Sequence, residues 1–260
     1  MEAQAEDRQE AHQAGRGLAQ AAGVERGLVA CVARNNLHLT KLAIKSALAQ
    51  DYPCDVLLID NASTDGTSAW AGTKPIAYVQ TRNQESLAAC WNFALKLKGH
   101  REHVLIMNND AEIHSSTYRL LLAHGGPFVT CVSVNSVTQL HGQQGTETDY
   151  VKELRAGERP HPDFSCFLIR RSVVEKVGLF DEDCWPAYTE DSRYHVRMHR
   201  AGVRAVCIDL PFLHHGASTL KNASEAEKIQ IEHGAHKNRE RFKELYGCYP
   251  GTPEYEELFL

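Results

Sequence analysis

Apolar residues gather into short runs along the chain, and the runs alternate with stretches of helical period. Runs of strand length lie at 28–33 (LVACVA), 55–60 (DVLLID), 76–80 (IAYVQ), 103–108 (HVLIMN) and 128–134 (FVTCVSV). Such nearly continuous Val/Ile/Leu runs suit strands covered on both faces. Between them, Leu39, Leu42, Ala43, Ser46 and Ala47 share one helical face within 38–50. Leu87, Trp91, Ala94, Leu95 and Lys98 share another within 85–98. Strands alternating with helices across short connections predict an α/β protein with a mostly parallel, Rossmann-like central sheet flanked by helices.

The second half keeps the alphabet but loosens the rhythm. Residues 135–163 are polar and rich in turn formers, a length of loop usually tied to function or mobility. Strands are expected at 164–170 and 204–209, and helices at 172–177, 190–201 and roughly 223–245. Gly178 and Gly202 stand where helix C-caps belong. The opening 26 residues are Ala-, Gln- and Glu-rich without an apolar face. The expected organisation is a polar arm over 1–26, one domain over 27–246 and a C-terminal tail over 247–260.

Composition narrows the class. At 43% hydrophobic and 23% charged, the 260 residues read as an ordinary globular domain. Lys plus Arg number 28 against 33 Asp plus Glu, a net charge of -5, which argues against a surface dominated by nucleic-acid or anionic-membrane binding. No run approaches the ~18 apolar residues of a membrane span, and the N-terminus lacks the apolar core of a secretory signal. Eight scattered cysteines include no C-x-x-C and no zinc spacing, so they read as small buried hydrophobes in a reducing cytoplasm.

Chemistry concentrates where strands end, the edge at which α/β sheets bind ligands. Asp60 closes one strand, ahead of the turn Asn61-Ala62-Ser63-Thr64-Asp65-Gly66, and is placed to accept a hydrogen bond from a nucleobase. Asn108-Asn109-Asp110-Ala111-Glu112 closes another. The two carboxylates at i and i+2 offer hard oxygens to a divalent cation bridging a diphosphate. Phe180-Asp181-Glu182, Trp185 and Tyr188 lead to Glu190-Asp191, which open a helix as favourable N-terminal charges or as a general base. His214-His215-Gly216-Ala217-Ser218 follows Pro211, and one of those histidines is placed to complete a metal shell.

This ordered set resembles a family 2 glycosyltransferase of the GT-A fold, over about residues 27–246, with a rhamnosyltransferase-like Asn-Asn-Asp in place of Asp-x-Asp. The resemblance covers Ala33 to Asn36, Asp60 to Gly66, Asn83 through Asn92, Asn108 to Glu112, Phe180-Asp181-Glu182 with Glu190-Asp191, Arg197 and Ala201-Gly202, and His214 to Ser218. It departs from the family in carrying Arg34-Asn35 where an aromatic is usual, and it lacks Q-x-x-R-W. The resemblance implies metal-dependent, inverting transfer of a sugar from a nucleotide diphosphate donor, UDP or dTDP favoured, to an acceptor hydroxyl. It assigns Asp191 as the base with Glu190 second, and Asp110, Glu112, His214 and His215 to Mn²⁺ or Mg²⁺. Asn35, Asp60, Arg82, Asn109, Trp185 and Tyr188 fall to substrate binding. Glycan, small molecule, protein and modified DNA base all stay open as acceptors. Two other classes compete: a non-catalytic nucleotide-sugar-binding domain, and a nucleotidyltransferase, which would want a glycine-rich loop where Cys31 to Leu37 has none.

Overall fold

The computed structural model describes residues 26–141, 152–154, 162–216 and 223–259. The expected N-terminal arm, most of 135–163, and Ala217 and Ser218 lie outside the described residues.

One eight-stranded sheet organises the chain. Its strands are β1 (Gly27–Ala33), β2 (Cys54–Asp60), β3 (Ala77–Gln80), β4 (His103–Asn108), β5 (Ala111–Ile113), β6 (Phe128–Val134), β7 (Cys166–Arg170) and β8 (Ala205–His214), in the order β3-β2-β1-β4-β7-β6-β8-β5. The β3-β2-β1-β4 half is all parallel, whereas β7 runs antiparallel to both its neighbours and β5 antiparallel to β8. The chain steps outward from β1 to β3 and then returns on the other side of β1 as β4. The carboxyl ends of β1 and β4 therefore flank the crevice that such a reversal opens.

Alternation along the strands sends side chains to two cores. Helices α1 (Leu37–Leu48), α2 (Thr67–Ala71) and α3 (Leu87–Leu97) follow the first three strands; α4 (Thr117–His124), α5 (Val137–His141) and α6 (Arg171–Val177) come later. One face buries Trp91 of α3 among Phe164, Phe167 and Phe180, with Tyr194 stacked on Phe180. The other buries Ile44 of α1, Tyr118 and Leu121 of α4, and Phe212 of β8. All eight cysteines are free, and seven are buried, as expected of small hydrophobes.

Three helices finish the fold: α7 (Glu190–Arg200), α8 (Glu225–Tyr246) and α9 (Pro253–Phe259). Ser224 and Glu227 form a reciprocal capping box that starts α8. The closing residues are more than a tail. Tyr255 and Phe259 of α9 are buried against Val196 of α7 and Phe242 of α8, in a small core of their own.

Two strands differ from the sequence expectation. β8 runs on past 209 to His214, because Pro211 sits at a register shift rather than ending the strand: Thr130 pairs with Cys207 but Val132 with Pro211. A bulge is where a proline, lacking its N–H, is tolerated inside a sheet. β5 is three residues long, too short to show a period. Among the described residues no helix is long and apolar enough to cross a membrane.

Candidate functional site

The strand ends and the segment before α7 enclose one cleft. It measures about 960 Å³ with its open mouth included, and Val32, Arg34, Asn61, Asn108, Asn109 and Asp110 line its floor. Gln84, Leu87, Pro186, Ala187, Tyr188, Glu190, His214 and Ile231 form its walls.

The floor is tied together by asparagines. Asn35 and Asn36 follow β1 with φ of 55° and 59°, a left-handed backbone that Asn adopts more readily than most residues. Asn35 Oδ1 accepts from the Thr64 N–H at 2.8 Å, and its carbonyl accepts from Asn109 Nδ2 at 2.9 Å. Asn109 Nδ2 also donates to Thr40 Oγ1 at 2.9 Å. Asn35 and Asn109 thus clamp the β1 and β4 ends together. Asn61 receives the Glu85 N–H at Oδ1 and returns Nδ2 to the Glu85 carbonyl, fixing the loop that bears Gln84.

Asp60, expected to meet a nucleobase, is fully buried beneath the floor. Oδ1 accepts from the Ser63 N–H and Oδ2 from the Tyr78 hydroxyl, each at 2.9 Å. The carboxylate folds back to satisfy its own turn, and the next residue, Asn61, lines the cleft. Arg82 is exposed on the loop after β3 and is not among the cleft-lining residues.

The four expected metal ligands separate into two pairs. Asp110 Oδ1 lies 3.4 Å from His214 Nε2, and both residues line the cleft. Glu112 Oε1 lies 2.8 Å from His215 Nε2, and neither residue lines it. β8 pairs antiparallel with β5, Ala111 opposite His214, and the adjacent His214 and His215 turn to opposite sides of that strand. Among the described residues no three His, Cys, Asp or Glu side chains converge into a metal site. Of the four expected ligands, the cleft therefore holds Asp110 and His214.

The far wall carries the acids. Tyr188 and Thr189 enter α7 with φ of 78° and 74°, a strained backbone for residues other than Gly. Neighbours hold it in place: Asn238 Nδ2 donates to the Trp185 and Ala187 carbonyls, and the Leu87 N–H to that of Pro186. Gly234 of α8 comes so close that a Cβ there would stand 2.4 Å from Pro186 Cδ. Asn92 braces the preceding segment, exchanging hydrogen bonds with both the N–H and the carbonyl of Phe180 and reaching Glu182. Trp185 and Tyr188 are both about two-fifths exposed. Tyr188 lines the cleft, while Trp185 lines a smaller recess beside it with Arg34, Gln84 and Glu227.

Successive residues of a helix point about 100° apart. Glu190 turns toward the cleft and is 4% exposed, with Oε2 lacking any hydrogen-bond partner among the described residues. Burial, then the neighbouring Asp191 charge, pushes its carboxyl well above the usual carboxylate range. Asp191 turns away and accepts from the Ser192 N–H and hydroxyl. The sequence expectation put Asp191 first. The geometry puts Glu190 on the cleft and Asp191 behind it.

Arg34, Asn61, Gln84, Pro186, Ala187 and Ile231 also line the cleft but were not singled out from sequence. Asn61 had a signal in the turn after β2. Ile231 had none beyond being apolar on a charged helix.

Several solved structures superpose on this chain. A mannosyltransferase from Pyrobaculum calidifontis, in complex with GDP-Man and Mn²⁺, superposes with a TM-score of 0.58 at 20% identity, over 96% of this chain and 74% of its own. S. aureus TarS with UDP-GlcNAc gives 0.55 at 15% identity, over 90% of this chain and 78% of its own. GalNAc-T7 with UDP, GalNAc and Mn²⁺ gives 0.59 at 10%, over 88% of this chain and 55% of its own. At these identities the likeness establishes the GT-A fold. No curated protein matches by sequence. The model of glycosyl transferase family 2 matches residues 29–178, from the first buried strand to the glycine that ends α6. That stretch is more than half of the chain and carries the β1, β2 and β4 ends that floor the cleft, so the protein belongs to glycosyl transferase family 2.

Proposed function

We propose that residues 27–246 form a catalytic domain that transfers a hexosyl group from a nucleotide diphosphate sugar to an acceptor hydroxyl, with inversion at the anomeric carbon. The observation that carries this reading is Glu190: a buried carboxylate with one oxygen unpartnered among the described residues, on a cleft that Asp110 and His214 also line. An acceptor hydroxyl is a weak nucleophile and sheds its proton as it attacks. A carboxyl raised out of the usual range suits that task near neutral pH. Direct attack by the acceptor, with Glu190 taking the proton, displaces the diphosphate in one step and inverts the configuration.

Asp110 and His214 fit one divalent ion as two of its ligands, with donor phosphate oxygens and water completing the set. A nitrogen ligand favours Mn²⁺ over Mg²⁺, which prefers oxygen alone. Such an ion, when bound, offsets the charge gathering on the leaving diphosphate. The chain supplies the rest: Asn109 and Asn35 fix the floor, and Asn108, its Oδ1 unpartnered among the described residues, lines the same cleft. UDP or dTDP donors remain our preferred class. Eight free cysteines support a reducing, cytoplasmic setting.

A panel of sugar nucleotides, assayed with and without Mn²⁺ for donor hydrolysis and followed by NMR for anomeric configuration, tests the reading. Metal-stimulated turnover of at least one donor with inversion is expected. Nucleotide-sugar binding without turnover of any donor, alone or with hydroxylated acceptors, would leave a non-catalytic binding domain.

A further inference from the structure

The acids at the head of α7 are backed by the last helix of the chain. Asp191, His195 and His199 recur at intervals of four along α7 and so share a face. That face meets α9, where the His199 and Phe259 rings lie 6.1 Å apart and Tyr255 Oη lies 2.8 Å from His195 Nδ1. Tyr255 is fully buried, and Ser192 and His195 are nearly so. The Tyr255 hydroxyl also hydrogen-bonds with Ser192, whose own hydroxyl lies 3.2 Å from Asp191 Oδ1. A continuous polar path therefore runs from the C-terminal helix, through Ser192, to the carboxylate whose charge acts on Glu190.

We infer that Tyr255 is a positioning residue for the acid pair, which extends the catalytic unit beyond residue 246 to include α9. A tyrosine that only filled the small core between α7, α8 and α9 would need no hydroxyl there. A buried hydroxyl is destabilising unless it is bonded. This one is bonded to two residues of the helix that carries Glu190 and Asp191. Tyr255 touches neither substrate nor the reacting atoms; it sets where the Asp191 charge stands relative to Glu190. A misplacement of about 1 Å at a reacting group can cost as much as 100-fold in rate.

The inference rests on the reading of Glu190 as the base, and the experiment separates the two. Steady-state transfer is measured for the wild type, Glu190→Gln, Tyr255→Phe, Asp191→Asn and the Tyr255→Phe/Asp191→Asn double variant, with thermal melts alongside. Tyr255→Phe keeps the ring and its packing, so the fold should survive; Ser192→Ala breaks the same path should it not. Tyr255→Phe should lower kcat about tenfold while donor KM stays within about twofold. It should add little in the Asp191→Asn background, because groups on one path are not additive. Wild-type kcat in Tyr255→Phe, or losses that multiply in the double variant, would overturn the role of Tyr255. Full turnover in Glu190→Gln would overturn the reading of the base instead.

Discussion

Glu190 and Asp191 adjoin in sequence yet face different worlds: the first turns its carboxylate into the cleft, the second toward Ser192 and the C-terminal helix. One helical step separates a candidate proton acceptor from the charge that tunes it. That division of labour sets the first two predictions.

Glu190→Gln should reduce transfer by about 10²–10⁴-fold, the usual worth of a general base. Asp191→Asn should be milder. Donor affinity, measured by calorimetry, should hold in both, since the base meets the acceptor. If Asp191→Asn abolishes transfer while Glu190→Gln keeps it, the roles are the other way round.

The raised carboxyl also sets two pH dependences. Transfer should climb with pH through the raised value, and Asp191→Asn, by removing the neighbouring negative charge, should move that climb to lower pH. Tyr188 is the other titratable neighbour, its phenol pushed up by burial and then by Glu190, so it stays neutral across this range. For stability the sign is reversed. The folded state holds the Glu190 proton more tightly than the unfolded chain does. Its contribution is thus fully present below the unfolded value near pH 4 and is lost as pH rises through the folded one. Glu190→Gln should melt above the wild type at neutral pH, and the two curves should converge near pH ~4. Parallel curves would mean that Glu190 is not held protonated.

Asp110→Ala should abolish metal-dependent donor binding while the fold survives, since the residue stands at a strand end outside both cores. His214→Ala should weaken Mn²⁺ at least as much as loss of an outer-sphere partner does, about 10–100-fold. His215→Ala should leave it nearly unchanged, because His215 is spent on Glu112. Titration of the nucleotide with Mn²⁺ and with Mg²⁺ checks all three. Equal losses at the two histidines would show that the second pair also reaches the ion.

Gly234→Ala asks whether α8 shapes the cleft. In a helix interior that change normally gains up to about 1 kcal/mol. Here the added methyl meets Pro186 and the Trp185 carbonyl. Overpacking of this kind costs about 1–3 kcal/mol, and a domain of this size loses about 2–4 °C in Tm for each. A lower Tm together with weaker donor binding is expected. A higher Tm would show that the contact gives way.

Much of this was legible in the sequence because buried strands write themselves as apolar runs, and a strand that ends in Asp or Asn at the ligand edge stands out. Asn109 and Asp110 were singled out that way, and both line the cleft. The bonds of Asp60 to Ser63 and Tyr78 were not legible, because those partners lie on a turn and on a neighbouring strand. The preference between Glu190 and Asp191 depends on how α7 is rotated against the sheet, which Tyr194 and Met198 fix by packing on the far side. The extension of β8 past the expected 209 was not legible, because the bulge at Pro211 is a property of two strands and cannot be seen in one. The glycines and asparagines of α8 gave no sign that Gly234 and Asn238 hold Trp185, Pro186 and Ala187 in place.

That bulge carries a meaning of its own. Side chains on a strand alternate, so the number of residues between the register shift at Pro211 and the end of β8 decides which of the two histidines turns to the cleft. His214 and His215 are chemically the same. What separates a prospective ligand from a bystander is parity: the site reads whether the count is odd or even, and loss of one residue there would put His215 where His214 stands and Gly216 where His215 stands.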